Sequence, residues 1–170
     1  MKIPLPRHLS IHFFSSLFVG VIGSFFGGNL LLNVAASLAG GFFIDLDHVL
    51  EYFLVYKRFD LKGFFKGKQF LESGRTRLYF HGWEYILPGI IIIYWLKSFP
   101  LFFFATLCFV LAAVVHLISD CYINSCPWRF YSFLYRRNLG FWTKNLSSEE
   151  KYQEFLKERK ELLFDWFSLI

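Results

Sequence analysis

AAVVHLISDCYIN, residues 112–124, closes the most apolar run of the chain. That run starts at Leu101 and carries no charge before Asp120. His116 and Asp120 stand four residues apart, so on a helix they share one face. Ionisable groups at the mouth of so apolar a segment are costly unless paired or bound to a metal. Whether this pair is an accident depends on what ends the other apolar runs.

Three other runs stand out: Ile11–Phe26, Leu30–Ile44 and Tyr85–Leu96, with Leu101–Ser119 as the fourth. "GGN" separates the first two and "KSFP" the last two; both are short and rich in turn residues. The runs therefore pair into two helical hairpins. A polar stretch, Lys57–Arg77, lies between the hairpins, and an aromatic-basic segment, Pro127–Lys144, follows the fourth run. Ser147 and Glu150 form an S-x-x-E capping box for a last helix. Tyr152, Phe155, Leu156, Leu163, Trp166 and Phe167 give that helix an apolar face. It either packs on the domain or lies on a membrane surface.

The composition sets the environment. Of 170 residues, 55% are hydrophobic and 22% aromatic, with 24 Phe, and the mean hydropathy is +0.42. A soluble domain carries fewer aromatics and more charge. The fold class expected is all-α: an integral-membrane bundle of about four apolar helices plus a C-terminal amphipathic helix. Residues 1–126 form the membrane-embedded domain, and 127–170 the aromatic-basic segment and last helix. The three cysteines, Cys108, Cys121 and Cys126, imply no disulfide framework. The net charge of +5 fits basic loops facing anionic lipid heads. "WRFYSFLYRRNLGFW" interleaves aromatics with Arg129, Arg136 and Arg137, but in membranous surroundings no nucleic-acid partner is expected. Trp83 and Trp128 suit the head-group layer.

Basic residues orient the chain. Lys57, Arg58, Lys62, Lys66, Lys68, Arg75 and Arg77 lie between the hairpins; Lys2 and Arg7 precede the first run; Arg129, Arg136, Arg137 and Lys144 follow the fourth. The tight turns hold only Lys97. Both termini and the central loop are thereby assigned to the cytoplasmic side of an inner membrane. Two tensions accompany this reading. The third run covers only about 18 Å at helical rise, short of a full span. The first run also has the outline of a secretory signal, although cleavage would discard His8 and His12.

All five histidines fall at the cytoplasmic ends of the runs. His8 and His12 open the first, in "RHLSIH". Asp45, Asp47 and His48 close the second, in "FIDLDHVLEY". His81 and Glu84 open the third, in "YFHGWEYI", and His116 and Asp120 close the fourth. The spacings i,i+3 and i,i+4 put each pair on one helix face. Bundles build dinuclear carboxylate centres by directing such residues inward. Imidazole with carboxylate suits Zn, Mn or Fe without thiolate. The candidate ligands are His8, His12, Asp45, Asp47, His48, His81, Glu84, His116 and Asp120, enough for two or more divalent ions, zinc first among them. Four polar ends matched by topology are unlike four independent accidents.

The ordered set of an N-terminal His, "GGFFIDLDH", "HGWE" and "HLISD" resembles the YdjM-type family of membrane-bound, predicted metal-dependent hydrolases. The resemblance covers residues 8–120. It departs from the family at Ile44, where proline often precedes the first acid. The family is distantly similar to zinc-dependent phospholipases C and P1-type nucleases. The resemblance implies hydrolysis, with a phosphoester, a lipid among them, as substrate class. In that scheme a metal-activated water attacks, Asp45 or Asp120 bridges ions, and Asp47 or Glu84 serves as general base. Membrane lipid is the expected partner, and protein partners are left open. Two rival readings remain. One is a non-catalytic scaffold held by a structural cluster. The other is a transporter, which clustering at one end of the runs disfavours.

Overall fold

The structure is a computed structural model that describes residues 5–57, 60, 64 and 73–167. Among them it is all-helical, without a strand. The helices are α1 (Leu5–Phe26), α2 (Leu30–Gly41), α3 (Leu46–Tyr56), α4 (Ile86–Trp95), α5 (Pro100–Ile123), α6 (Phe133–Asn138), α7 (Thr143–Leu146) and α8 (Glu149–Phe167). Short 3-10 turns lie at Phe43–Asp45, Trp83–Tyr85, Leu96–Ser98 and Trp128–Tyr131. Lys2, Arg58, Lys62, Lys66 and Lys68 of the basic set lie outside the described residues. Contacts divide the chain into two compact units, residues 1–45 with 80–133, and 46–79 with 134–170.

In the first unit α5 packs against α1, α2 and α4, and α1 packs against α2. Two helices are long and apolar enough to cross a membrane, Arg7–Phe26 and Pro100–Ile123. They become three if α2 and the helical stretch after it count as one broken span. α4, with ten residues, rises only about 15 Å. The distribution of side chains is consistent with a membrane protein. Phe14, Phe18, Phe25, Leu31 and Trp95 are exposed, whereas Ser16, Asn33 and Ser37 are buried. Small and weakly polar residues at helix contacts are how helices associate where the solvent is itself apolar.

Close approach follows from glycine. A Cβ on Gly20 would fall against the Val34 backbone of α2, and one on Gly40 against the Phe109 backbone of α5. Cys108 is buried beside Gly23, and all three cysteines are free. The α1–α2 turn needs Gly28, at φ +81. Asn29 then caps α2, its side chain accepting from the Leu32 N–H at 3.1 Å. Asn33 holds the turn from inside, donating to the Gly27 carbonyl at 2.8 Å. At the other turn Pro100 opens α5, where no intrahelical N–H is required.

The end of α2 departs from the sequence expectation of one run to Ile44 and a polar terminus. The helix stops at Gly41, tightens to 3-10 at Phe43–Asp45, and the chain is helical again to Tyr56. The cause is local. The Gly41 carbonyl is taken by His116 of α5, and the Asp45 N–H turns to Phe42 three residues back. Two glycines, poor helix formers, precede the break.

In the second unit, Glu51 of α3 is fully buried and accepts from the Arg77 N–H at 3.0 Å. Buried Arg136 donates to the Leu78 carbonyl at 2.7 Å. The Arg75 guanidinium stacks 4.2 Å over Trp142. The predicted capping box is one residue out of place. The hydroxyl of Ser148, not Ser147, accepts from the Lys151 N–H at 3.4 Å. Ser147 instead closes α7, its N–H bonding Thr143. Of the predicted face of α8, Tyr152, Phe155 and Leu156 are half-buried; at Leu163, Trp166 and Phe167 only the backbone is described.

The Gly40–Phe109 contact is testable. Gly40→Val should destabilise the protein by about 1–3 kcal/mol through overpacking. Thermal unfolding in detergent, followed by circular dichroism, measures this. An unchanged midpoint would mean that α2 and α5 do not approach through this glycine.

Candidate metal centre

Four elements of the first unit deliver the residues of one polar cluster. α1 carries His8 and His12 one turn apart on its buried face. The 3-10 turn after α2 ends in Asp45. His81 precedes the 3-10 turn at Trp83–Tyr85. α5 carries His116 and Asp120 on its buried face. His12 and His81 are fully buried, His116 and Asp120 nearly so, and the Asp45 side chain is 12% exposed.

Asp120 lies at the middle of the cluster. Its Oδ1 is 2.8 Å from His8 Nε2 and 3.0 Å from His12 Nε2. Its Oδ2 is 3.5 Å from both His81 Nε2 and His116 Nε2. Those two nitrogens are 3.0 Å apart, and both face Asp45 Oδ1, at 3.3 and 3.7 Å. Within this unit, three sets have donor atoms that all lie within 4.8 Å of one another: His8, His12 and Asp120; His81, His116 and Asp120; and His12, Asp45 and His116. These buried groups can hold a metal ion.

The hydrogen bonds on the outer nitrogens test that fit. His116 Nδ1–H donates to the Gly41 carbonyl at 2.5 Å. A neutral His116 therefore presents a lone pair at Nε2. Ser119 donates its one hydroxyl hydrogen to the His116 carbonyl at 2.8 Å. Its oxygen then accepts from His12 Nδ1–H at 3.3 Å, so the His12 Nε2 is also a lone pair. Both lone pairs point at carboxylates. Such a juxtaposition is repulsive until a cation enters, either a proton on each ring or a metal ion between them. Fixing the outer N–H is also how proteins orient histidine ligands. His8 differs: its Nδ1 has no partner among the described residues, and Nε2–H can donate to Asp120 directly.

The backbone of Asp120 is held as well. Tyr131 donates to its carbonyl at 3.4 Å and accepts from Asn124 Nδ2 at 2.9 Å. Burial, with the Asp120 charge adding to it, pushes the Tyr131 phenol well above its ordinary pKa, so it stays a neutral donor.

Six of the nine residues proposed from the sequence meet here. Glu84 has another engagement. Its carboxylate accepts from the Ser132 hydroxyl and, at 3.0 Å, from the Phe133 N–H, and it belongs to none of the three sets. Asp47 and His48 lie on α3 in the second unit, the first fully buried and the second half-buried. Trp83 donates its indole N–H to the Trp128 carbonyl at 2.9 Å. Gly41, Ser119 and Tyr131 were not foreseen. Ser119 lies inside the HLISD motif, at a spacing from His116 that gave it a signal; Gly41 acts through its carbonyl and gave none. No family model, curated protein or solved structure matches the chain.

Elemental analysis of the purified protein separates the two cations. Wild type should carry divalent metal, and Asp120→Ala should lose all of it, because one carboxylate serves both imidazole pairs. Asp45→Ala should retain the ion of His8, His12 and Asp120. Ser119→Ala should keep its ligands and lose about 10–100-fold in metal affinity. Wild type that stays metal-free after incubation with Zn, Mn and Fe would leave protons as the cations, and the cluster as a hydrogen-bonded lock.

Proposed function

We propose that the protein is a membrane-embedded, metal-dependent hydrolase acting on phosphoesters. The observation that carries this reading is the inward convergence of four imidazole Nε2 atoms on Asp120, two of them with their outer N–H already committed. A single closed structural ion needs four ligands. Four imidazoles and two carboxylates, one of which addresses both pairs, suit two ions with positions left for substrate.

His8, His12 and Asp120 would hold one ion, and His81, His116, Asp120 and Asp45 the other. When bound, such ions supply Lewis acidity to a phosphoryl group and acidify a water at neutral pH. The chain's own residues do the rest. Ser119 and the Gly41 carbonyl keep the imidazoles in the ligating tautomer. Tyr131 and Asn124 anchor the end of α5 that carries Asp120. Of the two carboxylates named from the sequence as general base, Glu84 is committed to Ser132 and Phe133, and Asp47 lies on α3 in the second unit, so neither is assigned that role at this centre. The ordered motifs that resemble the YdjM-type hydrolases support the same reaction class. Zinc is the first candidate metal from the donor set.

The location belongs to the proposal. With α1 paired to α2 and α4 paired to α5, each hairpin leaves and returns on one side, and the basic residues favour the cytoplasmic side for both termini and the metal centre. Membrane lipid is then the immediate partner, and an amphipathic phosphoester the natural substrate.

Purified protein assayed on bis(p-nitrophenyl) phosphate with Zn, Mn or Fe tests the activity. Turnover should require metal and vanish in Asp120→Ala. Stoichiometric metal with no turnover on soluble or lipid phosphoesters would instead identify a structural centre.

A further inference from the structure

The first unit also contains a cavity of about 390 Å3 that no part of the metal chemistry uses. Ile44, Phe80, Gly82, Val110, Ala113 and Leu117 contribute to its walls. None is charged. Val110, Ala113 and Leu117 form a buried floor on α5, whereas Phe80 and Phe109 are nearly half exposed. From Phe109 to Leu117 the wall follows α5 over eight residue steps, about 12 Å.

The cavity abuts the candidate metal centre on three sides of the chain. Ile44 directly precedes Asp45. Phe80 and Gly82 flank His81. Leu117 directly follows His116. Consecutive Cα atoms are about 3.8 Å apart, so three separate elements each supply a ligand and, one residue away, a piece of apolar wall. A site that only held an ion would have no need of an elongated apolar space beside it. A site for a phosphate carrying a hydrocarbon tail has need of both.

We infer that this cavity is the acyl-chain slot of the substrate, and that the substrate is a phospholipid whose phosphate reaches the Asp45, His81 and His116 side of the centre. The inference rests on the hydrolase reading and narrows it from phosphoesters in general to lipids. Recognition of the tail is by area alone. Each methylene that fits adds about 0.8 kcal/mol, or about fourfold in affinity.

The test is photolabelling in nanodiscs of unlabelled lipid, with peptide mapping. The probes are phosphatidylcholine with a diazirine on its acyl chain, and diacylglycerol with the same photoreactive chain. No turnover is needed, and metal-loaded and metal-stripped protein are compared. The phosphatidylcholine probe should label the buried Val110, Ala113 and Leu117, and do so more strongly than diacylglycerol when metal is present. Ala113→Phe should reduce that labelling, by about fifteenfold if the ring excludes two methylenes. Labelling of exposed Leu111 and Ile118, which face out from the same helix, should not change, and reports that the variant is folded.

Wild-type labelling confined to exposed residues would overturn the slot whether or not the variant folds. Equal labelling by the two probes would overturn the substrate assignment. Hydrolysis of soluble phosphoesters with an unlabelled cavity would sink this inference and leave the enzyme reading standing. A labelled cavity without phosphoesterase activity would support the slot and remove the enzyme.

Discussion

One carboxylate facing four imidazoles is the constraint around which the first unit is organised. Asp120 connects α1 through His8 and His12, the turn before α4 through His81, and its own helix through His116. An ionised carboxylate offers about four lone-pair positions and no hydrogen. Each ring nitrogen turned toward it must therefore bring a proton or share a metal. Burial makes the requirement severe, since an uncompensated charge in an apolar interior costs far more than an ordinary hydrogen bond returns.

The helices meet that requirement through their smallest residues. Gly40 brings the α2 backbone against the Phe109 backbone of α5. One residue later, the Gly41 carbonyl is close enough to accept from His116. The same carbonyl is thereby lost to the helix, which ends there. A packing contact, a helix terminus and the tautomer of a candidate ligand thus have one cause. The second imidazole is treated in the same manner by Ser119, whose hydroxyl closes onto its own helix and leaves its oxygen for His12. The outer faces of these helices carry the phenylalanines and isoleucines. In water that arrangement would be an exposed apolar patch of unusual extent; in lipid it is the ordinary exterior.

What was legible in the sequence follows from which forces act locally. His8 and His12, and His116 and Asp120, could be placed because helical spacing fixes their face and because an ionisable group at the end of an apolar run has few other uses. Asp45 and His81 could be placed because tight turns at GGN and KSFP imply antiparallel neighbours. Glu84 could not. It is three residues from His81, as a ligand pair would be, but Trp83–Tyr85 is a 3-10 turn and its carboxylate goes to Ser132 and Phe133, 48 and 49 residues away. The continuation of the chain as α3 was hidden for a similar reason. Asp45, Asp47 and His48 read as a polar end, whereas the actual interruption lies at Gly41 and is imposed by a side chain on another helix. The Ser147-to-Ser148 shift at α8 is smaller. Two adjacent serines compete for one cap, and the short turn of α7 claims the first.

The polar ends and the apolar middles also explain each other. On the proposed reading, a metal centre deep among the spans would have to desolvate both the ions and the phosphate of the substrate. At the ends of α1 and α5 the ligands remain buried, while Asp45 keeps a side chain 12% exposed. Below that level the walls turn apolar at once, at Ile44, Ala113 and Leu117. The change from ligand to hydrocarbon wall takes a single residue at Asp45 and at His116. A molecule matched to such a boundary must be ionic at one end and apolar at the other. Under the proposed function, the chemistry of the site and the apolar exterior of the fold point to the same class of ligand.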